Sequence, residues 1–171
     1  LTVDQFEKNV ATRPNSAERV EFAIRLPGSS SGTDKCPVWL PIDAKFPMED
    51  YQRLVDAQDR AEPVAVEAAA KALEVRLRDE AKKIREKYVE PPHTTDFAIL
   101  YLPTEGLYAE ALRRAGLADS LQRDLRISIA GPTTLAALLN SLQMGFRTLA
   151  IEKRSSEVWA VLGAVKTEFG K

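Results

Sequence analysis

An acidic and a basic residue lie two positions apart at the end of an apolar run, in the stretch LPIDAKFP at residues 40–47. Asp43 and Lys45 lie between two prolines, Pro41 and Pro47. A charged side chain beside a core is costly unless it is paired or does chemistry. Because residues i and i+2 of a strand point to the same face, the two charged groups are expected to project together.

A second acid, Glu21, lies in the preceding predicted strand. If the two strands pair as a hairpin, Glu21 can lie on the same face as Asp43 and Lys45. Two carboxylates can hold Mg²⁺ or Mn²⁺, with water and a substrate phosphate completing the coordination. A lysine beside a metal-bound water could orient or deprotonate the nucleophile, or stabilise the transition state. These residue types predict metal-dependent phosphodiester hydrolysis, with Glu21 and Asp43 as the metal ligands.

An acid two residues before a lysine is a common pattern, and it recurs at Glu80 and Lys82 in the middle of a predicted helix. There we interpret it as part of a solvated helix surface. Asp43 differs in its setting, because it ends an apolar strand and an acid lies in the strand before it. The alternative for Asp43 and Lys45 is a local ion pair at a sheet edge, where prolines prevent strand addition. Both interpretations remain open from the residues alone.

Composition limits the classes of protein that the chain can represent. Its 171 residues are 44% hydrophobic, which is enough for one domain with a core. With 24 basic and 25 acidic residues, the net charge of −1 gives no general attraction to nucleic acid, so a DNA site would be a local patch. The single cysteine, Cys36, excludes an internal disulfide framework and favours a reducing, cytoplasmic environment. No apolar run reaches the roughly 18 residues of a membrane span.

The hydrophobic pattern predicts alternating strands and helices. Strands are predicted at 6–12, 19–26, 38–45, 96–103 and 126–131, and helices at 48–58, 63–89, 104–115 and 118–125. The Gly- and Ser-rich segment 27–37 is predicted to be a hairpin loop. Alternation in the second strand predicts a half-buried strand, with Val20, Phe22, Ile24 and Leu26 on one face. The unbroken apolar run at 96–103 predicts a central strand.

From Pro132 onward the pattern predicts one or two long helices, because proline suits a first helical turn and an apolar face follows it. The fold class is therefore α/β, with a small mixed sheet, flanking helices and long C-terminal helices. We predict a single domain over 1–171 with a helical extension over about 132–171.

Four segments, RVEFAIRLPG, VWLPIDAKFPMEDYQRL, HTTDFAILYLPTEGLYAEAL and ISIAGPTTLAALLNSL, resemble in order and spacing the RmuC family of bacterial DNA recombination proteins. The resemblance spans about residues 19–145. It implies a PD-(D/E)xK, restriction-endonuclease-like core in which Glu21 is the acid of the second strand and Asp43 and Lys45 form the last motif. It also implies a Mg²⁺- or Mn²⁺-dependent nuclease that acts on DNA and limits recombination or inversion between repeats.

The chain departs from the family pattern in two respects. The family often carries Pro-Asp where this chain has Val20 and Glu21. The first acid of the motif, on a leading helix, is expected before Leu1, so we expect this chain to be a fragment that binds the metal weakly or not at all. Family members tend to carry an N-terminal anchor, which would attach the parent protein to the inner membrane, and a long coiled coil. The alternative function is a non-cleaving DNA-binding or scaffolding module that self-associates through its helices.

Overall fold

The chain forms a five-stranded sheet with helices along it. The computed structural model describes residues 1–27 and 37–169, with side chains of the last helix described through residue 151 and at residues 155 and 158. The strands are β1 (Phe6–Val10), β2 (Val20–Leu26), β3 (Val38–Ala44), β4 (Ala98–Tyr101) and β5 (Ile127–Ala130). The helices are α1 (Met48–Asp59), α2 (Pro63–Tyr88), α3 (Glu105–Arg113), α4 (Leu117–Leu125) and α5 (Pro132–Phe169). The predicted α/β class is confirmed.

The strands lie in the sheet in chain order, from β1 to β5. β1 pairs with β2 and β2 with β3 in antiparallel fashion, whereas β3 with β4 and β4 with β5 are parallel pairs. Parallel neighbours need a crossover connection, and the chain supplies one through α1 and α2 and another through α3 and α4. The predicted mixed sheet is confirmed, and this order is compatible with the PD-(D/E)xK core that the resemblance implies.

The prediction that β2 is buried on one face only is wrong. Ala23 and Ile24 are adjacent in the strand, yet they are 0% and 2% exposed, whereas Phe22 is 40% exposed. Ala23 belongs to the main hydrophobic core with residues of α1 and α2. On the opposite face of the sheet from Ala23, Ile24 pairs across the ladder with Leu40, which is also buried. Simple alternation fails because both faces of β2 bury apolar surface at this point.

Helix α2 carries the apolar face that covers one side of the sheet. It begins with Pro63 in its first turn, as the sequence predicts. The apolar residues that recur every three or four positions along α2 are all buried: Ala70, Leu73, Leu77, Ala81, Ile84 and Tyr88. They join Leu54 of α1 and Leu100 of β4 in the main core. The strand β4 is central, with Ala98, Ile99 and Leu100 at most 1% exposed, which confirms the prediction for this run.

The C-terminal region forms one helix, α5, from Pro132 to Phe169. The chain divides into two compact units, one comprising Thr2–Leu135 and the other containing α5 from Ala136 onward. The predicted single domain stays a prediction, and residues 28–36 of the predicted hairpin loop lie outside the described residues. Within the described part of the chain, not one helix has the length and apolar character needed to cross a membrane.

Candidate functional site

Asp43 and Lys45 form an ion pair where β3 ends. Lys45 Nζ lies 2.8 Å from Asp43 Oδ2, and the two side chains are 34% and 2% exposed, respectively. Among the described residues, Asp43 Oδ2 has no donor in regular hydrogen-bond geometry, so the ion pair is its main polar contact. A buried carboxylate whose oxygen is held by a single ion pair is costly to keep for stability alone. This oxygen is therefore the first feature of a candidate site.

The strand that carries the pair is an interior strand. β3 lies between β2 and β4, and Asp43 is paired with Leu100 of β4. The backbone N–H of Lys45 donates to the carbonyl of Tyr101 at 3.0 Å. The alternative of an ion pair at a sheet edge is therefore wrong in its location, although the ion pair itself is present. Neighbouring strands hold the backbone of both charged residues in place.

Glu21 lies on β2, across from the end of β3. The antiparallel register ends with Phe22 paired with Ile42, and Glu21 and Asp43 are the adjoining residues of the two strands. Glu21 is nevertheless exposed, and it does not line the cavity beside Asp43. The structure brings Asp43 and Lys45 together, whereas the role of Glu21 as a metal ligand stays a prediction.

Glu80 of α2 is a second buried carboxylate, and the prediction that it belongs to the solvated surface of its helix is wrong. It is 6% exposed. Because it follows Leu77 by three residues and precedes Ile84 by four, it lies in the apolar stripe that packs on the sheet. Its Oε1 lies 3.1 Å from Lys83 Nζ and 3.4 Å from Arg76 Nη2. These two cations from the exposed side of α2 balance its charge.

One cavity connects the end of β3 with α2. It has a volume of about 100 Å³, which is enough for several water molecules. Its lining consists of Asp43, Lys45, Glu80, Lys83, Ile84, Lys87 and Tyr88. The lining thus combines two carboxylates with three ammonium groups. Carboxylate oxygens suit a hard cation, and ammonium groups suit an anion such as a phosphate.

The charges around Lys45 keep its side chain protonated. Burial by itself lowers the pKa of Lys45, but its close contact with the negatively charged Asp43 carboxylate, together with the charge of Glu80, raises the pKa above its usual value. Burial and the nearby Asp43 carboxylate also raise the pKa of Tyr88. At neutral pH the cavity therefore presents Lys45 as an ammonium group and Tyr88 as a neutral phenol.

Comparison with known proteins identifies the family. A sequence model of the RmuC family matches residues 1–171. The chain belongs to the RmuC family. The resemblance in the segments around β2, β3, β4 and β5 is thus confirmed over the whole chain.

Several proteins described as a DNA recombination protein RmuC homolog are similar to this RmuC chain. The homolog of Xylella fastidiosa strain Temecula1 is 61% identical over 171 residues, which cover all of the chain and 37% of that relative. The homolog of Chlamydia pneumoniae is 29% identical over 148 residues, or 86% of the chain and 32% of the relative. The homolog of Pseudomonas aeruginosa is 28% identical over 173 residues, or 96% of the chain and 35% of the relative. The chain spans about a third of the length of these relatives, and no solved structure matches it.

The residues of this RmuC domain fit a hydrated divalent cation. Mg²⁺ keeps several waters and usually takes one or two carboxylates together with substrate phosphates. Asp43 offers a buried oxygen that lacks a regular hydrogen bond, beside a cavity with room for water. The described residues contain no group of three or more His, Cys, Asp or Glu side chains that could hold a metal ion. A cation here would therefore depend on one or two carboxylates, water and the substrate.

Sequence reasoning missed the contribution of α2 to the site. The signal for Glu80 was its position in the helical register, between Leu77 and Ile84 in an otherwise apolar stripe. Lys83 and Lys87 lie on the same helix, with side chains that are 52% and 44% exposed. Their place at the cavity depends on how α2 packs against β3, and no periodicity within α2 could reveal it.

Proposed function

We propose that this RmuC domain belongs to a metal-dependent deoxyribonuclease that acts in DNA recombination. The observation that carries the proposal is the Asp43 carboxylate, which is 1% exposed, has an oxygen without a regular hydrogen bond and lies beside Lys45. The names of the relatives, DNA recombination protein RmuC homologs, support DNA as the substrate. A desolvated carboxylate next to a lysine at a cavity suits hydrolysis of a phosphodiester in the presence of a divalent cation.

In the proposed reaction a water attacks phosphorus, one bridging P–O bond breaks, and the leaving oxygen departs with a proton. Bound Mg²⁺ or Mn²⁺ would supply Lewis-acid polarisation of the phosphate and a more acidic water. Asp43 would hold the cation through its carboxylate, whose Oδ2 also forms the ion pair with Lys45. Glu21 is the candidate for a further ligand from β2, because the strand register brings it across from Asp43.

Lys45 acts in this proposal as a fixed positive charge. The raised pKa of Lys45, caused by Asp43 outweighing the effect of burial, keeps the ammonium group protonated at neutral pH. A protonated lysine cannot deprotonate the attacking water, but it can orient that water and stabilise the negative charge that develops on the phosphate oxygens. We assign Lys45 the role of orienting the water and stabilising this charge.

Lys83 and Lys87 extend the positive charge from the cavity to the surface of α2. Lys83 Nζ lies 3.1 Å from Glu80, and Lys87 Nζ lies 3.2 Å from Glu18. Exposed ion pairs contribute little stability, so phosphates of a DNA backbone can compete for these lysines. Both residues are thus candidates for backbone contacts that place a phosphodiester at Asp43.

In recombination, such cleavage would remove the DNA intermediates that join repeated sequences. The proposed cellular role is therefore to limit recombination or inversion between repeats. A genetic reporter with an invertible segment between inverted repeats measures this directly. We expect inversion to rise in cells that carry Asp43→Asn, and an unchanged frequency would contradict this role.

Cleavage is tested with the full-length protein on linear and branched DNA, with Mg²⁺, Mn²⁺ or EDTA. We expect cleavage only with a divalent cation, and we expect Asp43→Asn to abolish it. Asp79→Asn, which changes an exposed acid of α2 outside the cavity, is the matched control and should cut like the wild type. Cleavage by Asp43→Asn at the wild-type rate, or no cleavage in any cation, would overturn the nuclease proposal.

A second candidate function is a non-cleaving scaffold that binds DNA and self-associates through its helices. It is favoured by large apolar side chains of α5 that are exposed to solvent, among them Met144 at 70% and Ile151 at 66%. Exposed apolar residues of this size on one helix are typical of surfaces that bind another protein. Ile151→Glu should then lower the mass measured by sedimentation, whereas Thr148→Glu, at an exposed polar position, should not. Equal masses for all three proteins would exclude association through this residue.

A further inference from the structure

Glu80 is a buried acid for which neither helix propensity nor core packing provides a reason. Its neighbours in the buried stripe of α2, Leu77, Ala81 and Ile84, are at most 1% exposed, and Glu80 itself is 6% exposed. A carboxylate at such a position loses hydration that an apolar side chain would not need. A charged residue at a position where the helical pattern favours an apolar one often belongs to a functional site.

The ion pairs of Glu80 do not explain its burial. Its partners Arg76 and Lys83 each have a side chain that is 52% exposed. Solvated cations of this kind contribute little free energy to an ion pair, whereas the buried carboxylate loses most of its hydration. The same two cations could pair with an acid on the exposed face of α2. The ion pairs therefore limit the cost of burial without providing a reason for it.

The cavity provides that reason. Glu80 and Asp43 line the same cavity, although one residue belongs to α2 and the other to β3. Independently, Asp43 is 1% exposed, and its Oδ2 has the ion pair with Lys45 but no hydrogen bond of regular geometry, which leaves the carboxylate free to accept a further ligand. Two carboxylates from different elements beside room for several waters offer the hard oxygen donors that Mg²⁺ and Mn²⁺ prefer.

We propose that Glu80 is a carboxylate ligand of the divalent cation at this cavity, so that α2 and β3 each supply one acid. This assignment rests on the proposed function, since it completes the metal site of the same cavity. Two protein ligands of the cation, Asp43 and Glu80, then come from β3 and α2. The site does not require Glu21 of β2 as a ligand. The bound cation would then displace Lys83 and Arg76 from Glu80 and free them for substrate phosphates.

Direct binding of Mn²⁺ tests the assignment without reference to cleavage. Free hydrated Mn²⁺ gives an electron paramagnetic resonance signal that is lost on binding, so titration of the full-length protein yields an affinity. We expect Glu80→Gln and Asp43→Asn each to weaken Mn²⁺ binding by about tenfold or more. The matched control is Glu86→Gln, which changes an acid on the same helix that is 63% exposed and pairs with Lys82. It should leave the affinity unchanged.

Wild-type affinity in Glu80→Gln together with weakened binding in Asp43→Asn overturns the Glu80 assignment and leaves the nuclease proposal standing. Mn²⁺ binding that depends on Glu80 in a protein that cuts no DNA supports the assignment and overturns the nuclease proposal. Thermal unfolding in EDTA shows whether each variant folds. If Glu80→Gln does not fold, Glu80→Asp keeps the charge but shortens the side chain, and unchanged Mn²⁺ affinity in this variant overturns the assignment.

Discussion

The Asp43 carboxylate and the Lys45 ammonium group lie 2.8 Å apart, with side chains that are 2% and 34% exposed. They are two residues apart at the end of an interior strand, so both project from the same face. One partner is desolvated and fixed, and the other reaches toward solvent. Because of this difference, removal of each residue should have a different effect on stability, metal binding and cleavage.

Lys45→Ala should separate catalysis from binding. In the nuclease proposal the ammonium charge acts chiefly in the transition state, so cleavage should fall by about a hundredfold or more. The DNA dissociation constant should change by less than about threefold, since one phosphate contact at most is lost. Cleavage rates and salt-dependent affinity measured on the same preparations check this, with Lys82→Ala as the control. Equal cutting by wild type and Lys45→Ala would exclude this role.

The same substitution should destabilise the fold, because it leaves Asp43 buried without its counter-ion. We expect the free energy of unfolding at pH 7 to fall by about 1–3 kcal/mol. Adding Asp43→Asn to Lys45→Ala should recover part of this loss, since the neutral amide needs no counter-ion. Urea denaturation of the two single variants and the double variant measures the coupling. Additive effects would show that the two side chains do not stabilise one another.

The ion pair should also give the stability a dependence on alkaline pH. The pKa of Lys45 is raised above its usual 10.5 because Asp43 outweighs the effect of burial. The contribution of the pair is therefore complete below that usual value and is lost as the pH rises through the raised pKa. The difference in unfolding free energy between wild type and Lys45→Ala should be constant from pH 7 to about pH 9 and shrink above about pH 11. A difference that shrinks already below pH 9 would contradict the raised pKa.

Lys83 and Lys87 should contribute to DNA affinity through phosphate contacts. Lys83→Gln and Lys87→Gln should each lower the slope of log affinity against log salt by about one unit for duplex DNA. The control is Lys82→Gln, because Lys82 lies on the same helix with its side chain 67% exposed and does not line the cavity. Slopes that are the same in all three variants would show that α2 does not contact the backbone at this position.

Glu74 should stabilise the fold at neutral pH but not in acid. Hydrogen bonds from Arg78 and Arg114 lower the pKa of Glu74, although burial opposes this. A depressed carboxyl pKa adds stability above the unfolded value of about 4.5, and this stability is lost as the pH falls through the folded pKa. Glu74→Gln should therefore destabilise by about 1 kcal/mol at pH 7 and by much less at pH 3. Glu86→Gln, at an exposed site, should change the free energy of unfolding at pH 7 by less than about 0.5 kcal/mol.

The helices and strands could be predicted from the sequence because each depends on the spacing of apolar and polar residues along a short segment. The buried stripe of α2 and the apolar run of β4 follow directly from residue spacing. The placement of Asp43 and Lys45 on one face also follows, because a strand has a fixed period of two. The left-handed conformation of Gly116, with φ of 75°, explains why α3 and α4 are separate helices where the sequence predicts a break.

The site could be predicted only in part because it joins elements that are distant in sequence. In the sequence, Glu80 resembles the other acids of α2. Its burial follows only from the packing of that helix on β3. Phe22 fits the alternation of β2 but is 40% exposed, whereas Ala23 on the other face is buried, and the spacing within β2 does not contain this difference. Which charges of an amphipathic helix reach a strand depends on tertiary packing, and hydrophobic spacing does not contain that information.

The backbone hydrogen bond from Lys45 to Tyr101 can form only after both residues have been synthesised. Tyr101 ends β4, and the chain must pass through both α1 and α2 before this strand exists. On the ribosome, Asp43 and Lys45 therefore emerge well before the strand that fixes them. Contacts between such distant segments form late in folding. A nascent chain that ends just after α2 carries every acid and lysine of the cavity, but it lacks the strand that holds the end of β3.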